Sequence, residues 1–223
     1  MLLLADKWKD YELIDMGNGE KLERWGSYVL RRPDPQVVWP MESEWALWKN
    51  PHGHYHRSNK GGATVACASA GAEVCHVDAA KGMVNWAKEN IELSGLKNQT
   101  VRFIVDDVVK FVEREIRRGK KYDAIIMDPP SYGRGPKGEV WQIEEKLYSF
   151  VDLCMGVLSD NPLFFLINSY TTGFSPIVLE NVLSTTIGKK TNTGDIYGGE
   201  LGIPASRDGK ILPCGIFGRW EKK

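Results

Sequence analysis

The spacing of apolar and polar positions divides the chain into two textures that meet near residue 61. Beyond that point short apolar runs alternate with stretches whose apolar positions recur every third or fourth residue, the mark of strands alternating with amphipathic helices. Positions 63–70 read as a small-residue helix closed by Gly71. Positions 72–77 read as a strand that ends at Asp78, and 79–93 as a helix with Val84, Ala87 and Ile91 on one face. A strand at 101–105 ends in Asp106-Asp107. It leads into a helix at 108–118 whose inward positions are expected to be Val108, Phe111, Val112 and Ile116. Positions 124–127 are apolar without alternation, as in a strand buried on both faces. A long helix is predicted over 140–158, a strand over 163–168, and a helix opened by Ser175-Pro176 and running to about 187. Positions 200–205 and 211–220, joined by Arg207-Asp208-Gly209, predict a β-hairpin. The order predicts an α/β fold, a doubly wound and mostly parallel sheet with an antiparallel C-terminal hairpin.

The first sixty residues differ. Strands are expected at 11–14 and 28–30 with turn chemistry at 15–19, giving a small β-rich region over 1–60 ahead of an α/β domain over 61–223. Residues 31–35 read as a proline-punctuated exit. His52, His54 and His56 alternate, but no acid or cysteine accompanies them at ligand spacing, so no metal is expected. Before Gly61 a buried sheet needs an apolar strand, and Arg57-Ser58-Asn59-Lys60 cannot supply one. We read this as a segment missing between Lys60 and Gly61.

Composition narrows the picture. Lys plus Arg and Asp plus Glu balance at 29 each, so no global charge advertises a nucleic-acid partner. The four cysteines form no C-x-x-C pair, which fits a cytoplasmic protein with buried thiols. No run reaches membrane-spanning length, and Met1-Leu2-Leu3-Leu4 is too short for a signal sequence.

The candidate chemistry gathers at the carboxyl ends of the predicted strands, where open α/β sheets bind ligands. Gly61-Gly62 opens a helix as a phosphate- or nucleotide-approaching turn does. Asp78 ends one strand, where an acid can accept both ribose hydroxyls. Asp107 ends the next. Asp128-Pro129-Pro130 ends the fourth, and the prolines stop the strand and hold Asp128 extended.

These residues together resemble class I S-adenosylmethionine-dependent methyltransferases, and most of all the branch of the large-subunit ribosomal RNA methyltransferases K and I. The likeness runs from Gly61 to the C-terminus and implies a Rossmann-like fold. It implies S-adenosyl-L-methionine as cofactor, held by Gly61, Gly62, Asp78 with Ala79, and Asp107 with Val108, with Asp128 at the junction to the acceptor. It implies an acceptor pocket of Asp128, Pro129, Pro130 and Tyr132. RNA, ribosomal RNA above all, is the implied substrate, with no membrane and no metal required, and a homodimer is allowed. Two departures stand out. The family's aromatic after the prolines comes one place late here, behind Ser131. The cysteine that carbon-methylating relatives carry after the fifth strand is replaced by Asn168-Ser169-Tyr170, which favours a nitrogen acceptor. Asn168 and Ser169 are candidates to line its pocket. Two rivals remain: a nicotinamide-dependent oxidoreductase, which lacks its G-x-G-x-x-G here, and a non-catalytic RNA-binding module on the same scaffold.

Overall fold

The computed structural model describes residues 1–42, 46–54, 62–134, 139–191 and 193–223. Strand β1 (Leu2–Leu4) precedes a meander of β2 (Tyr11–Gly17), β3 (Glu20–Trp25) and β4 (Tyr28–Pro33). Helix α1 (Ala46–Lys49) and the short β5 (Gly53–His54), parallel to β4, follow. The first turn is tighter than expected. Only Asn18 and Gly19 take positive φ, while Asp15 and Met16 stay in β2 with their side chains buried. Two successive left-handed residues are what a two-residue hairpin needs. Strand β3 has a single buried apolar residue, Leu22, and so carries no apolar signal. It is held by cross-strand charge pairs instead: Arg24 with Glu12, Arg31 with Glu20, and Arg32 with Glu23.

The α/β part runs α2 (Gly62–Ser69), β6 (Val74–Asp78), α3 (Lys81–Leu93), β7 (Val101–Val105), α4 (Val108–Arg117) and β8 (Ala124–Met127). It continues with β9 (Tyr132–Arg134), β10 (Val140–Gln142), α5 (Ile143–Cys154), β11 (Phe164–Ser169), α6 (Pro176–Lys190), β12 (Asp195–Pro204) and β13 (Ile211–Glu221). Two expectations are corrected. The helix placed over 140–158 is shorter at both ends. Residues 140–142 pair with β9 as a strand. Past Cys154 the chain turns, and Lys121 and Lys190 bind the carbonyls of Gly156, Met155 and Leu158. In α4, Ile116 is partly exposed while Glu115 is 1 % exposed. The acid is tolerated inside because the Tyr122 hydroxyl donates to it at 2.8 Å and Arg118 at 3.1 Å. Burial alone would raise its pKa. The bonds from Tyr122 and Arg118 and the field of Arg102 outweigh burial and lower it, so the group is ionised.

The main sheet has the order β1-β12-β13-β11-β8. Strand β11 is parallel to β8 and antiparallel to β13, β12 is antiparallel to β13, and β1 is parallel to β12. The parallel pair β6–β7 forms a second sheet. Among the described residues no strand pairs with the second edge of β6 or of β8. The two sheets share one core, in which Phe111 and Val112 of α4 meet Leu147, Val151, Phe165, Ile167, Leu179, Leu183 and Trp220. Each such leucine or phenylalanine contributes about 1.5–3 kcal/mol by leaving water. Gly218 lets α6 lie close on β13, since a Cβ there would meet Leu179 at 2.5 Å.

The N-terminal meander rests on the tip of the β12–β13 hairpin. Ser206 N–H donates to the Leu13 carbonyl at 2.8 Å, and Leu13, Met16, Val37, Ala205 and Leu212 form a joint cluster. Asp15, 4 % exposed, accepts from the Met16 backbone, from Trp48 Nε1 at 2.8 Å and from Arg207 in the hairpin turn. No described helix is long and apolar enough to cross a membrane. Asp15→Ala should cost about 1–3 kcal/mol, the scale for leaving the buried Trp48 Nε1 without its acceptor, because Arg207 is partly exposed and can turn to water. Urea unfolding checks this, and a loss below about 1 kcal/mol would show that Asp15 does not join the two parts.

Candidate functional site

Strands β6 and β7 run parallel in register to Asp78 and Val105, so the residues that follow them emerge on one edge. The Asp106 N–H donates to the Asp78 carbonyl at 3.1 Å and ties the two exits together. Asp78 Oδ1 accepts from Ala80 N–H at 2.7 Å, and Asp107 Oδ1 accepts from Lys110 N–H at 3.0 Å as the N-cap of α4. Asp107 therefore caps α4 with one oxygen, while Asp78 closes a local turn on Ala80 ahead of α3, and each leaves its second oxygen to make the edge negative. Ala79 is exposed beside Asp78, and Val108 is half-buried beside Asp107. Gly62 opens α2 with no atom within 4 Å of the position of a Cβ. Gly61 lies outside the described residues, as do Tyr55 to Lys60, so the glycine turn is not part of the described site.

The second group sits at the end of β8. Asp128, Pro130, Ser131 and Tyr132 are exposed, and Pro129 is half-buried. Three hydrogen bonds fix this loop. Trp141 Nε1 donates to the Pro130 carbonyl at 2.6 Å, Ile143 N–H to the Ser131 carbonyl at 3.1 Å, and the hydroxyls of Ser131 and Thr171 meet at 2.8 Å. Tyr132 turns outward, where Arg134 Nε donates to its hydroxyl at 2.8 Å and the guanidinium lies 6.0 Å from its ring centroid. The shift of the aromatic by one place thus frees Ser131 to anchor the loop.

The β8–β11 register brings a third set of residues here. Met127 pairs with Ile167, so one step further Asp128 stands beside Asn168, with the two side chains on the same face of the sheet. Asn168 Oδ1 is buried with no partner. Tyr170, half exposed, has its pKa raised first by burial, and the charge of Asp128 adds to the shift. Ser169 Oγ donates to Thr171 Oγ1 at 3.1 Å. Thr171 and Trp141 carry no motif and were not legible as site residues. Only their contacts to the Asp-Pro-Pro-Ser loop reveal them.

Burial pushes the Cys154 thiol up to about 12 and raises that of Cys214, so neither is a ready nucleophile. His52 Nδ1 accepts from the Val29 N–H at 2.9 Å and is thereby structural. The His54 side chain and His56 lie outside the described residues. Among the described residues no cluster of three or more His, Cys, Asp or Glu is placed to hold a metal.

No family model matches the chain. A solved structure, the S-adenosylmethionine-dependent methyltransferase from Agrobacterium tumefaciens, superposes with a TM-score of 0.85 at 28 % identity, covering 100 % of this chain and 94 % of that one. The fold is therefore that of the class I S-adenosylmethionine-dependent methyltransferases. Within the class, the sequence is similar to ribosomal RNA large subunit methyltransferase K of Neisseria meningitidis serogroup B, at 28 % identity over 137 residues, 60 % of this chain and 39 % of that protein. It is similar as well to ribosomal RNA large subunit methyltransferase I of Aeromonas salmonicida, at 32 % over 121 residues, 54 % of this chain and 28 % of that protein. The chain thus matches about two fifths or less of the length of these curated relatives.

Thr171→Val should remove the hydroxyl that Ser131 and Ser169 share, leaving Ser169 Oγ only the Thr171 N–H. We expect a loss of about 1–3 kcal/mol in stability by thermal or urea unfolding. An unchanged midpoint would show that the hydroxyl chain does not hold the loop.

Proposed function

We propose that the chain is an S-adenosylmethionine-dependent methyltransferase that modifies a nitrogen of an RNA base, with ribosomal RNA as the substrate class. The observation that carries the reading is Asp128-Pro129-Pro130 on a rigidly pinned loop, at the same kind of strand end as Asp78 and Asp107. The sequence likeness to two ribosomal RNA methyltransferases supports the substrate class. The cofactor, when bound, supplies an activated methyl group on a sulfonium. Asp78 is suited to the ribose hydroxyls, Ala79 lies beside it, and Asp107 and Val108 offer an acceptor and an apolar flank for the adenine. Gly61 and Gly62 complete the reading at the start of α2. What remains for the protein is alignment. Asp128 accepts an N–H of the acceptor, Pro129 and Pro130 hold it extended, Tyr132 walls the pocket, and Asn168 faces the same space. No step of this chemistry calls for a metal or a membrane, and a homodimer is compatible with it. Four unpaired cysteines support a reducing, cytoplasmic setting.

The division near residue 60 and a segment missing after Lys60 belong to the same proposal. They are supported by the polar residues 57–60 ahead of α2 and by the second edges of β6 and β8. Hydrogen exchange tests them. Alternate amides of β8 that do not face β11 should exchange much faster than those that do. Uniform protection along β8 would mean that its second edge is covered.

Calorimetric titration with S-adenosylhomocysteine, with NADH as control, tests the function. Asp78→Ala should weaken binding by about 1–3 kcal/mol, the scale for bonds to a charged group. Asp128→Ala should bind as before and lose transfer to ribosomal RNA transcripts. Binding of NADH alone would favour the oxidoreductase. Binding of S-adenosylhomocysteine with no transfer to any RNA would favour the non-catalytic module.

A further inference from the structure

A cavity of about 350 Å³ lies between the N-terminal meander and the C-terminal hairpin, away from the strand-end acids. Trp8, Tyr11 and Arg24 line it from the first side, and Ile203 to Ser206 from the other. Its volume is in the range of small-ligand sites. Trp8 is 55 % exposed and Trp25, next to the lining Arg24, is 47 % exposed. Tyr11 stands between the two tryptophans, with ring centroids 6.4 Å from Trp8 and 4.6 Å from Trp25. Two large indoles held half in water by a rigid ring are costly to keep exposed unless something covers them.

Charge does not explain the cavity. Lys9 and Arg24 line it, and so do Asp6 and Glu12, with Arg24 bound to Glu12. The lining offers the aromatic rings of Trp8 and Tyr11, together with one guanidinium–carboxylate pair that presents both a donor and an acceptor.

The topology relates this place to Asp128. Strand β11 is parallel to β8, β13 is antiparallel to β11, and β12 is antiparallel to β13. The carboxyl end of β12, at Pro204 and Ala205, therefore lies on the same sheet edge as Asp128. Three strand spacings separate the strands, and the registers set Asp128 level with Gly199, five residues short of Pro204, so the two places are roughly 20–25 Å apart at about 4.8 Å per spacing and about 3.3 Å per residue. A few extended nucleotides bridge such a distance.

We propose that this aromatic cavity binds an unpaired base of single-stranded RNA, a few nucleotides from the base held at Asp128. This rests on the RNA reading given above and extends it to a second contact. Stacking on aromatic faces tolerates any base and contributes more than charge in a site of balanced sign. Binding here should therefore depend weakly on salt, unlike phosphate-dominated association.

The test is tryptophan fluorescence during titration with an unstructured RNA octamer, with an octamer of abasic nucleotides as the control of equal charge. The base-bearing octamer should quench the fluorescence, and its affinity should change little between 50 and 200 mM salt, values set by the usual working range. Trp8→Ala and Trp25→Ala should each weaken binding roughly 5- to 150-fold, the range for losing one stacked base. Both residues are exposed, so the variants should fold. Tyr148→Ala, an exposed aromatic on α5, should bind as before. Equal binding of the abasic octamer, unaltered affinity in both tryptophan variants, or no binding of RNA would each overturn the proposal. None of these readings uses the cofactor. A chain that binds the octamer through Trp8 and Trp25 but fails to bind S-adenosylhomocysteine would retain this site and lose the methyltransferase reading.

Discussion

The parallel ladder between β8 and β11 is the constraint on which the Asp128 end of this protein depends. It carries Met127 and Ile167 into the core side by side, and by doing so it sets Asp128 and Asn168 on a common face one step later. The two prolines then end the ladder, since neither has an N–H to give. A slip of β8 by one residue would turn Asp128 to the face that holds Phe165 and Ile167, which their burial forbids. Burial energy and site geometry are thus fixed by the same register.

Around that edge the fold combines rigid and polar features. The Asp-Pro-Pro-Ser loop is tied to β10, α5 and the exit of β11, so Asp128 does not depend on its own short strand for position. The acid after β7 is ordered as the cap of α4, and the acid at the end of β6 by a turn bond to Ala80. Each carboxylate has two oxygens and these local bonds use one, so the second stays on the strand-end edge.

The N-terminal meander is fastened to the hairpin tip through Asp15, Trp48 and Arg207, a charged group buried between two parts of the chain far apart in sequence. This makes the hairpin more than an edge of the sheet. It carries the meander at the edge of the main sheet where β8 ends in Asp128.

Much of this was legible in the residues. The strands at 101–105 and 124–127 were readable to the residue because their apolar runs are bounded by acids, glycine or proline, and Val84, Ala87 and Ile91 fell inward as their spacing required. The strand-end acids and Asp-Pro-Pro were visible because such chemistry is local in sequence. Strand β3 was not, since its stability comes from charge pairs with β2 and β4, nor was β1, which exists only by pairing with β12 two hundred residues away. Glu115 could not be read as buried, because the hydroxyl and guanidinium that make its burial affordable come from Tyr122 and Arg118. Thr171, Trp141 and the Trp8–Tyr11–Trp25 cluster acquire a role only where the folded chain brings distant segments together. The sequence by itself determined which local segments hide from water and where polar chemistry interrupts them. The tertiary structure decided which polar groups share an edge, because register, docking and partner choice are set by contacts between segments and by no single one of them.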